Sequence, residues 1–247
     1  MYLIGDIGNT EIKVCLFNSK LNLLKKIRIS SISLNEKILF KKLKFLNKYK
    51  LDIKRTVFSS VVPELFKLIK FVLKKIVNQN CIELKKCKLI NLVKIKVNKK
   101  QIGSDRLANA IGAIDKKKNF IIIDFGTATN FDVVIKNQYI GGILAPGVQL
   151  SLNNLIDRAS LIPKVKLNRI KTVIGKNTNS AIKSGFYHGY SGLIDKIIKL
   201  IIKETGKSFN IILTGGLAYL FKDSINEKVV IKKDLTINGI LKVAINL

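Results

Sequence analysis

The fold of this 247-residue chain is decided by two similar stretches, DIGNT at residues 6–10 and DFGTAT at residues 124–129. Each follows a short apolar run and precedes another, which predicts a tight turn between two strands. The glycine in such a turn permits backbone N–H groups to approach phosphate oxygens closely. A single Asp-x-Gly-Asn turn is most simply an ordinary hairpin. Two copies after equivalent strands instead predict a pair of phosphate-binding loops.

Strand-like and helix-like patterns extend outward from the first turn. Apolar runs at residues 2–5, 12–17 and 23–29 predict a three-stranded meander. Ser33 is predicted to cap the helix that follows, with Glu36 three residues further on. A later strand is expected to lead into a helix that has Pro63 in its first turn, where proline is favoured.

The second turn has a similar setting. It lies among apolar runs at residues 120–123, 131–135 and 139–144, which again predict three strands. This internal repeat predicts two α/β halves, residues 1–115 and 116–247, with the substrate site in a cleft between them.

Charge is the most unusual feature of the composition, at +29 in formal terms. The lysines are spread along the whole chain together with abundant isoleucine and asparagine, which favours compositional drift and solvated helix faces over a binding patch. Neither an RNA-recognition signature nor a zinc-finger pattern occurs. A nucleic-acid partner is therefore not expected.

Cysteine usage and hydropathy bear on the cellular compartment. The three cysteines, Cys15, Cys81 and Cys87, lack the spacing of a disulfide framework or a zinc site. No apolar run approaches the roughly 20 residues that a membrane span needs, and the pattern after Met1 is not that of a secretory signal. We predict a soluble cytoplasmic protein without a membrane partner.

Two carboxylates stand where the predicted turns begin. From the end of a strand, Asp6 or Asp124 could hold a hydrated Mg²⁺ or a monovalent cation against a polyphosphate. Hydroxyl groups and one ammonium group stand close by in the sequence: Thr10, Thr127, Thr129 and Lys13. This combination is typical of an enzyme that transfers a phosphoryl group from ATP.

A third motif, Gly103-Ser104-Asp105-Arg106, opens a predicted helix. Backbone N–H groups, a carboxylate and a guanidinium would gather at one helix N-terminus. Asp105 could accept a proton from a substrate hydroxyl, and Arg106 could bind a carboxylate or phosphate. An N-capping carboxylate with a solvated arginine is the simpler alternative. The motif alone leaves both open.

Two glycine-rich segments and one histidine complete the set. Residues 141–147, GGILAPG, and residues 214–216, TGG, each follow a predicted strand and are most simply structural turns. The single histidine, His188, lies in a helical stretch and has no Ser/His/Asp or His/Cys partners in the pattern. We interpret it as structural.

Taken in order, these motifs resemble those of the bacterial type III pantothenate kinases, members of the acetate and sugar kinase, Hsp70 and actin superfamily. The resemblance spans essentially the whole chain. Its elements are DIGNTEIK at 6–13, GSDR at 103–106, DFGTA at 124–128, GGILAPG at 141–147, RASLIP at 158–163, IGKNT at 174–178 and TGG at 214–216. The chain has Lys96 where the family usually has tyrosine, Lys99 in place of a proline, and Asn130 in place of threonine or serine.

The resemblance implies a fold and a reaction. The fold would be α/β, with two tandem ribonuclease H-like (actin-like ATPase) halves, mixed β-sheets and a cleft between them. The reaction would transfer the γ-phosphoryl group of ATP to the primary hydroxyl of pantothenate, the first committed step of coenzyme A synthesis. The family is dimeric, which implies a homodimer whose pocket is completed across the interface.

Residue roles follow from the same resemblance. Asp105 would be the general base and Asp124 would hold a potassium or ammonium ion, while Asp6 would bind Mg²⁺, directly or through water. The implied pantothenate contacts are Lys96, Gly103, Ser104, Asp105, Arg106 and Thr178. The implied ATP contacts are Asp6, Ile7, Gly8, Asn9, Thr10, Glu11, Ile12, Lys13 and Thr127.

Two alternatives stay open at this point. The changes at Lys96 and Lys99 would also fit a kinase of the same superfamily that acts on another small hydroxylated substrate. The high charge would fit a degenerate regulator that keeps the fold and binds nucleic acid. Retention of Asp6, Asp105 and Asp124 argues against degeneration.

Overall fold

The computed structural model describes every residue from Met1 to Leu247. The chain forms two compact units, one made of Met1–Ile114 and Asp234–Leu247 and the other of Asp115–Lys233. Each unit combines helices with a mixed β-sheet, so the predicted α/β class is confirmed. None of the helices combines the length and hydropathy that a membrane span requires.

In the first unit, the hairpin at residues 6–10 forms part of a five-stranded sheet with the order β3-β2-β1-β4-β5. The strands are β1 (Tyr2–Ile7), β2 (Glu11–Phe17), β3 (Leu23–Ser30), β4 (Arg55–Ser60) and β5 (Cys81–Glu83). The first three form the expected antiparallel meander, and β4 and β5 run parallel to β1. The crossover connections carry helices, as parallel pairing requires.

Helices flank this sheet and close its core. They are α1 (Glu36–Leu43), α2 (Pro63–Val77) and α3 (Ser104–Ala113). The unit also contains 3₁₀ turns at Lys44–Tyr49 and Leu84–Lys86 and a short strand, β6 (Lys94–Ile95). Helix α2 begins at Pro63 as predicted, whereas the predicted Ser33 cap is wrong. The cap of α1 is Asn35, whose Oδ1 accepts a hydrogen bond from the Ile38 backbone N–H at 3.0 Å. Ser33 has a φ of 56°, a left-handed conformation that does not lead directly into a helix.

In the second unit, the other hairpin lies in the middle of a sheet. Its strands follow the order β11-β10-β7-β8-β9. Their bounds are β7 (Asn119–Phe125), β8 (Ala128–Ile135), β9 (Gln138–Pro146), β10 (Asn210–Gly215) and β11 (Val229–Ile231). The helices are α4 (Val148–Arg158), α5 (Thr178–Thr205) and α6 (Ala218–Phe221). Stacking of Phe125 on Phe221, at 5.1 Å between ring centroids, ties the hairpin to the core.

The last helix, α7 (Leu235–Ile245), belongs to the first unit. The sequence-based division at residue 115 assigned this segment to the second half instead. Two glycines explain the packing, because a Cβ on Gly239 would lie 1.8 Å from the Ala108 carbonyl oxygen and one on Gly112 would lie 2.5 Å from the Leu235 carbonyl oxygen. Backbones of α3 and α7 therefore touch at positions where any side chain would separate them.

Replacing Gly239 with alanine is expected to destabilise the first unit by about 1–3 kcal/mol, since overpacking forces the backbone to shift. The melting temperature and denaturant midpoint measure this loss. Asn238→Ala is the matched control because Asn238 is an exposed neighbour on the same helix. Equal melting temperatures for the two variants would contradict this picture of the helix contact.

Candidate active site

The first predicted phosphate loop, at residues 6–10, is a hairpin turn, and the residue that follows strand β3 stabilises it. The Gly8 N–H donates to the Glu11 carbonyl at 3.0 Å, which closes the turn. Ser31 follows β3 and contacts the loop twice: its Oγ donates to the Gly8 carbonyl at 2.6 Å and its N–H donates to the Thr10 carbonyl at 2.9 Å. Asn9 and Thr10 remain exposed at the tip. Sequence reasoning missed Ser31, because only the folded meander brings it there.

Strand register places charges beside this loop. Asp6 and Lys13 are direct partners across β1 and β2, and Lys13 is in turn paired with Arg28 across β2 and β3. Directly opposed side chains lie on the same face of a sheet. A half-buried carboxylate and two cations thus share one face next to the exposed turn, an arrangement that can neutralise polyphosphate charge. Arg28 is a cation that the motif search did not include.

The second phosphate loop is built similarly but is shorter. Phe125 pairs with Thr129, so three residues lie between the paired positions, whereas Ile7 pairs with Ile12 in the first hairpin. The Gly126 N–H donates to the Ala128 carbonyl at 3.0 Å. Thr127 is exposed at the tip, but Thr129 is fully buried and its hydroxyl donates to the Pro146 carbonyl at 3.2 Å. Thr127, rather than Thr129, therefore presents a hydroxyl to solvent.

Two glycines from other motifs make room for the second loop. A Cβ on Gly147 would lie 2.1 Å from the Thr127 carbonyl oxygen and 2.8 Å from that of Gly126. Gly215 has a φ of +87°, and a Cβ there would lie 2.6 Å from Oδ1 of Asp124. The segments at 141–147 and 214–216 are therefore more than turns. Each lets a neighbouring backbone lie directly against the second phosphate loop.

Asp124 has a suitable neighbour for holding a cation. Asn130 is its direct partner across β7 and β8, so the two side chains share a face. The Asn130 side chain is only 7% exposed, and its Oδ1 lacks a hydrogen-bond partner. A buried amide oxygen without a donor, next to a carboxylate, is the donor chemistry that an alkali cation prefers. The residues present thus fit a monovalent cation at Asp124.

Helix α3 carries the third motif at its N-terminus. Gly103 is the N-cap residue, and Asp105 lies in the first turn of the helix. Oδ1 of Asp105 accepts a hydrogen bond from the Arg106 N–H at 2.8 Å, so Asp105 satisfies a helix N–H without being the capping residue. Burial raises the pKa of Asp105 above its ordinary value of 3.8, while the Arg106 N–H and charge act in the opposite direction. A carboxylate with a raised pKa is better suited to accept a proton.

The position of Asp105 also depends on its glycine neighbour. A Cβ on Gly103 would lie 2.5 Å from Oδ1 of Asp105. Because Gly103 has no side chain, the Asp105 carboxylate can lie against the N-terminus of α3. Ser104 between them is 1% exposed, so its hydroxyl faces the protein and not a solvent-filled site.

Lys96 and Lys99 line a cavity of about 610 Å³ in the segment that leads into Gly103. Its walls are mainly apolar with four lysines at the rim: Cys87, Lys88, Leu89, Ile90, Val93, Lys94, Ile95, Lys96, Val97 and Lys99. Both lysines are exposed, so the ammonium groups are accessible to an anion.

Thr178 is the first residue of α5 and is exposed. Asn177 and Ser180 form a capping box there. Gly175 packs closely against the helix, because a Cβ at this position would lie only 2.2 Å from the Ala181 backbone nitrogen. The IGKNT motif thus folds back onto the start of the helix. His188, in the same helix, packs edge-on against Tyr187 at 5.2 Å between ring centroids.

Each unit therefore contains its own part of the predicted site. The first unit carries the first phosphate loop, the N-terminus of α3 and Lys96. The second carries the other loop with Asp124, as well as Thr178 at the start of α5.

Comparison with known proteins relates this arrangement to a family. The family model described as type III pantothenate kinase matches residues 2–200. A Type III pantothenate kinase of Pelagibacter ubique (strain HTCC1062) is 54% identical over 242 residues, which covers 98% of each chain. One of Desulforapulum autotrophicum is 38% identical over 254 residues, covering 99% of this chain and 96% of the relative.

A solved structure supports the fold. The chain is similar to a candidate 2-dehydro-3-deoxygalactonokinase from Sinorhizobium meliloti, with a TM-score of 0.61 and coverage of 99% of this chain and 98% of the other. At 10% identity, this likeness shows the sugar kinase and actin-like ATPase fold alone. The family model and the two Type III pantothenate kinases described above identify the family within that fold. The chain belongs to the type III pantothenate kinase family.

Proposed function

We propose that this chain transfers the γ-phosphoryl group of ATP to the primary hydroxyl of pantothenate, giving 4′-phosphopantothenate for coenzyme A synthesis. The observation that carries the proposal is the half-buried Asp105 at the N-terminus of α3, in a chain that also contains two aspartate-glycine hairpins. Membership of the family supports both substrates. Phosphoryl transfer requires positioning and charge neutralisation more than covalent chemistry, and these residues can supply both.

In this proposal, Asp105 is the general base. Its carboxylate accepts the proton of the pantothenate hydroxyl as the hydroxyl oxygen attacks the γ-phosphorus and the bond to the β-phosphate oxygen breaks. Partial burial raises the pKa of Asp105. The carboxylate therefore binds a proton more strongly, which favours proton transfer from the substrate hydroxyl, but a smaller fraction of it is ionised in acid. Arg106, next in the chain, supplies a guanidinium suited to a phosphate or carboxylate.

The hairpins hold the polyphosphate. Asn9, Thr10 and Thr127 are exposed at the two loop tips, where their side chains can donate hydrogen bonds to phosphate, and Lys13 adds positive charge. Asp6 would bind Mg²⁺, which commonly takes one or two carboxylates, waters and substrate phosphates. Asp124 with Asn130 would hold a potassium or ammonium ion. When bound, these cations neutralise charge on the phosphates.

Pantothenate would bind through the residues that the family resemblance implies. Lys96 and Lys99 present ammonium groups at the cavity that they line, and one of them can pair with the pantothenate carboxylate. Thr178 would contribute a hydroxyl from the start of α5. A lysine in place of the family's tyrosine exchanges a phenol hydroxyl for a charge, which suits an anionic substrate.

The reaction is tested with the purified chain, ATP, Mg²⁺, potassium and pantothenate, with 4′-phosphopantothenate measured by mass spectrometry. Product that depends on all components supports the proposal. A panel of other hydroxylated acceptors is assayed in parallel, because preference for one of them over pantothenate would overturn the substrate assignment. Salt-sensitive nucleic-acid binding by Asp105→Asn, with no kinase activity in the wild type, would instead favour a regulator.

We also propose a homodimer, with α4 and β9 of the second unit at the interface. Leu144 on β9 is 63% exposed, and Leu150 and Leu155 on α4 are 45% and 38% exposed. Several large apolar side chains on two adjoining elements are typical of an interaction surface. The segment GGILAPG, which the family resemblance assigns to the interface, contains Leu144.

Leu144→Lys is expected to shift the chain from dimer towards monomer, because a charge cannot be buried unpaired in an apolar interface. Light scattering coupled to size exclusion measures the mass. Leu51→Lys, in the first unit, is the control since Leu51 is 97% exposed and lies outside the proposed interface. A monomeric wild type, or a dimer that tolerates Leu144→Lys, would refute this interface.

A cytoplasmic location completes the proposal. All three cysteines are buried free thiols, which suits a reducing compartment. Burial raises the pKa of Cys15 and of Cys87 to about 11, so neither thiol is reactive at neutral pH. Cell fractionation tests the location directly.

A further inference from the structure

Glu83, the last residue of β5, uses both carboxylate oxygens to bind two separate segments. Its Oε2 accepts a hydrogen bond from the Lys85 N–H at 2.9 Å, which caps the 3₁₀ turn Leu84–Lys86. Its Oε1 accepts one from the Ser104 hydroxyl at 2.6 Å. Hydrogen bonds from a hydroxyl to a carboxylate are short and strong. The first residue of α3 is thus attached to the end of the sheet.

Lys85 binds the same region from the other side of Gly103. Its Nζ donates to the Lys100 carbonyl at 3.0 Å and to the Ile102 carbonyl at 2.8 Å. These are the carbonyls of the loop that leads into the N-cap residue Gly103. Glu83 and Lys85, two residues apart, therefore hold the chain immediately before and immediately after Gly103.

This attachment bears directly on Asp105, which follows Ser104. The carboxylate is held against the helix N-terminus by the Arg106 N–H and fits only because Gly103 lacks a side chain. Its orientation therefore depends on where the first turn of α3 begins. That start is determined by contacts with β5 and not by a side-chain cap, since none is present at α3.

We propose that Glu83 and Lys85 are positioning residues for Asp105: together they fix the start of α3 so that the carboxylate faces the acceptor hydroxyl. The inference rests on the proposed role of Asp105 as general base. Displacement of a catalytic group by about 1 Å can lower a rate roughly 100-fold. Loss of one of these contacts, with the remainder of the helix packed, is expected to cost about tenfold in kcat.

Five variants test the proposal: Glu83→Ala, Glu83→Gln, Ser104→Ala, Lys85→Met and the double variant that combines Glu83→Ala with Ser104→Ala. Single alanine variants should lower kcat about tenfold while KM for ATP changes less than twofold. The double variant should be no slower than Glu83→Ala, because Glu83→Ala already removes the hydrogen bond that Ser104→Ala removes. Glu83→Gln should recover most of the rate, since its amide oxygen can still accept from Ser104. Lys85→Met should lower kcat similarly.

Matched controls separate this effect from general damage. Glu64→Gln removes the same charge from an exposed pair with Lys67 at 2.9 Å, and Lys86→Met alters the exposed residue adjacent to Lys85. Both should retain the wild-type rate. Melting temperatures identify any variant whose slower rate follows from partial unfolding.

Amide hydrogen exchange of residues 100–106 provides a readout that does not need turnover. Faster exchange in Glu83→Ala but not in Glu64→Gln is expected. Unchanged exchange there, wild-type kcat in Glu83→Ala, or multiplicative losses in the double variant would each overturn the positioning role. A wild type that exchanges as expected but does not phosphorylate pantothenate would refute the proposed function and leave the attachment of α3 supported.

Discussion

Asp105→Asn is expected to lower kcat by about 10²–10⁴-fold, the usual contribution of a general base. Asparagine keeps the size of the side chain, and its amide oxygen can still accept the hydrogen bond from Arg106 that orients Asp105 at 2.8 Å. What it loses is the ability to accept the proton. KM for ATP should change little because the phosphate loops are untouched. Activity within twofold of the wild type would exclude Asp105 as the base.

The pH profile gives a second test of the same residue. Because burial raises the pKa of Asp105, the wild-type rate should fall as pH decreases through a pKa above 3.8. The residual activity of Asp105→Asn should lack this acidic limb. Asp115→Asn is the control, since Asp115 lies just beyond the end of α3 and its Oδ1 accepts only from the Lys117 N–H.

Stability should change in the opposite direction to activity. A carboxyl whose pKa is raised by folding contributes stability that is fully present below its unfolded pKa and is lost as pH rises through its folded pKa. At neutral pH the ionised Asp105 therefore costs stability. Asp105→Asn should melt at the same temperature as the wild type or higher at pH 7, and this advantage should disappear in acid.

Gly147→Ala should lower kcat/KM for ATP by at least about tenfold, and up to 100-fold if the loop moves by about 1 Å. The added Cβ would lie 2.1 Å from the Thr127 carbonyl oxygen and 2.8 Å from that of Gly126. Both atoms are backbone and cannot rotate away, so the second phosphate loop must shift. Steady-state kinetics with varied ATP and direct measurement of nucleotide binding would quantify the loss.

Gly192→Ala provides the comparison. Gly192 lies within α5, and apart from its own turns of helix a Cβ there would meet no atom within 4 Å. Alanine is favoured over glycine in a helix by about 1 kcal/mol, so this variant should be fully active and slightly more stable. If Gly147→Ala binds ATP as Gly192→Ala does, the glycine at 147 has no role in shaping the loop.

Local patterns in the sequence determined a large part of the fold. The alternation of apolar residues around Asp6 and Asp124 predicted both hairpins, and Pro63 marked the start of α2 correctly. Gly103 was rightly placed at the opening of α3. These features depend on residues within a few positions of one another, because strand alternation, turn formation and the first turn of a helix are local properties.

The cap of α1 shows how a local prediction can still fail. Ser33 and Asn35 are both acceptable capping residues, and the pattern did not distinguish them. Ser33 adopts a left-handed conformation at the end of the meander, whereas Asn35 is extended and caps Ile38. The conformation of the chain between β3 and α1 therefore determines that Asn35, and not Ser33, is the N-cap residue.

By itself, then, the sequence determined the α/β class, the two hairpins predicted to bind phosphate, the motif order that identifies the family, and Asp105 as the candidate base. Only the tertiary structure showed that Ser31 supports the first loop, that Gly147 and Gly215 make room for the second, that α7 packs in the first unit, and that Glu83 binds Ser104. The physical reason is the same in each case. These contacts join residues that are far apart along the chain. A local sequence pattern cannot predict which distant segment of the backbone will pack against it.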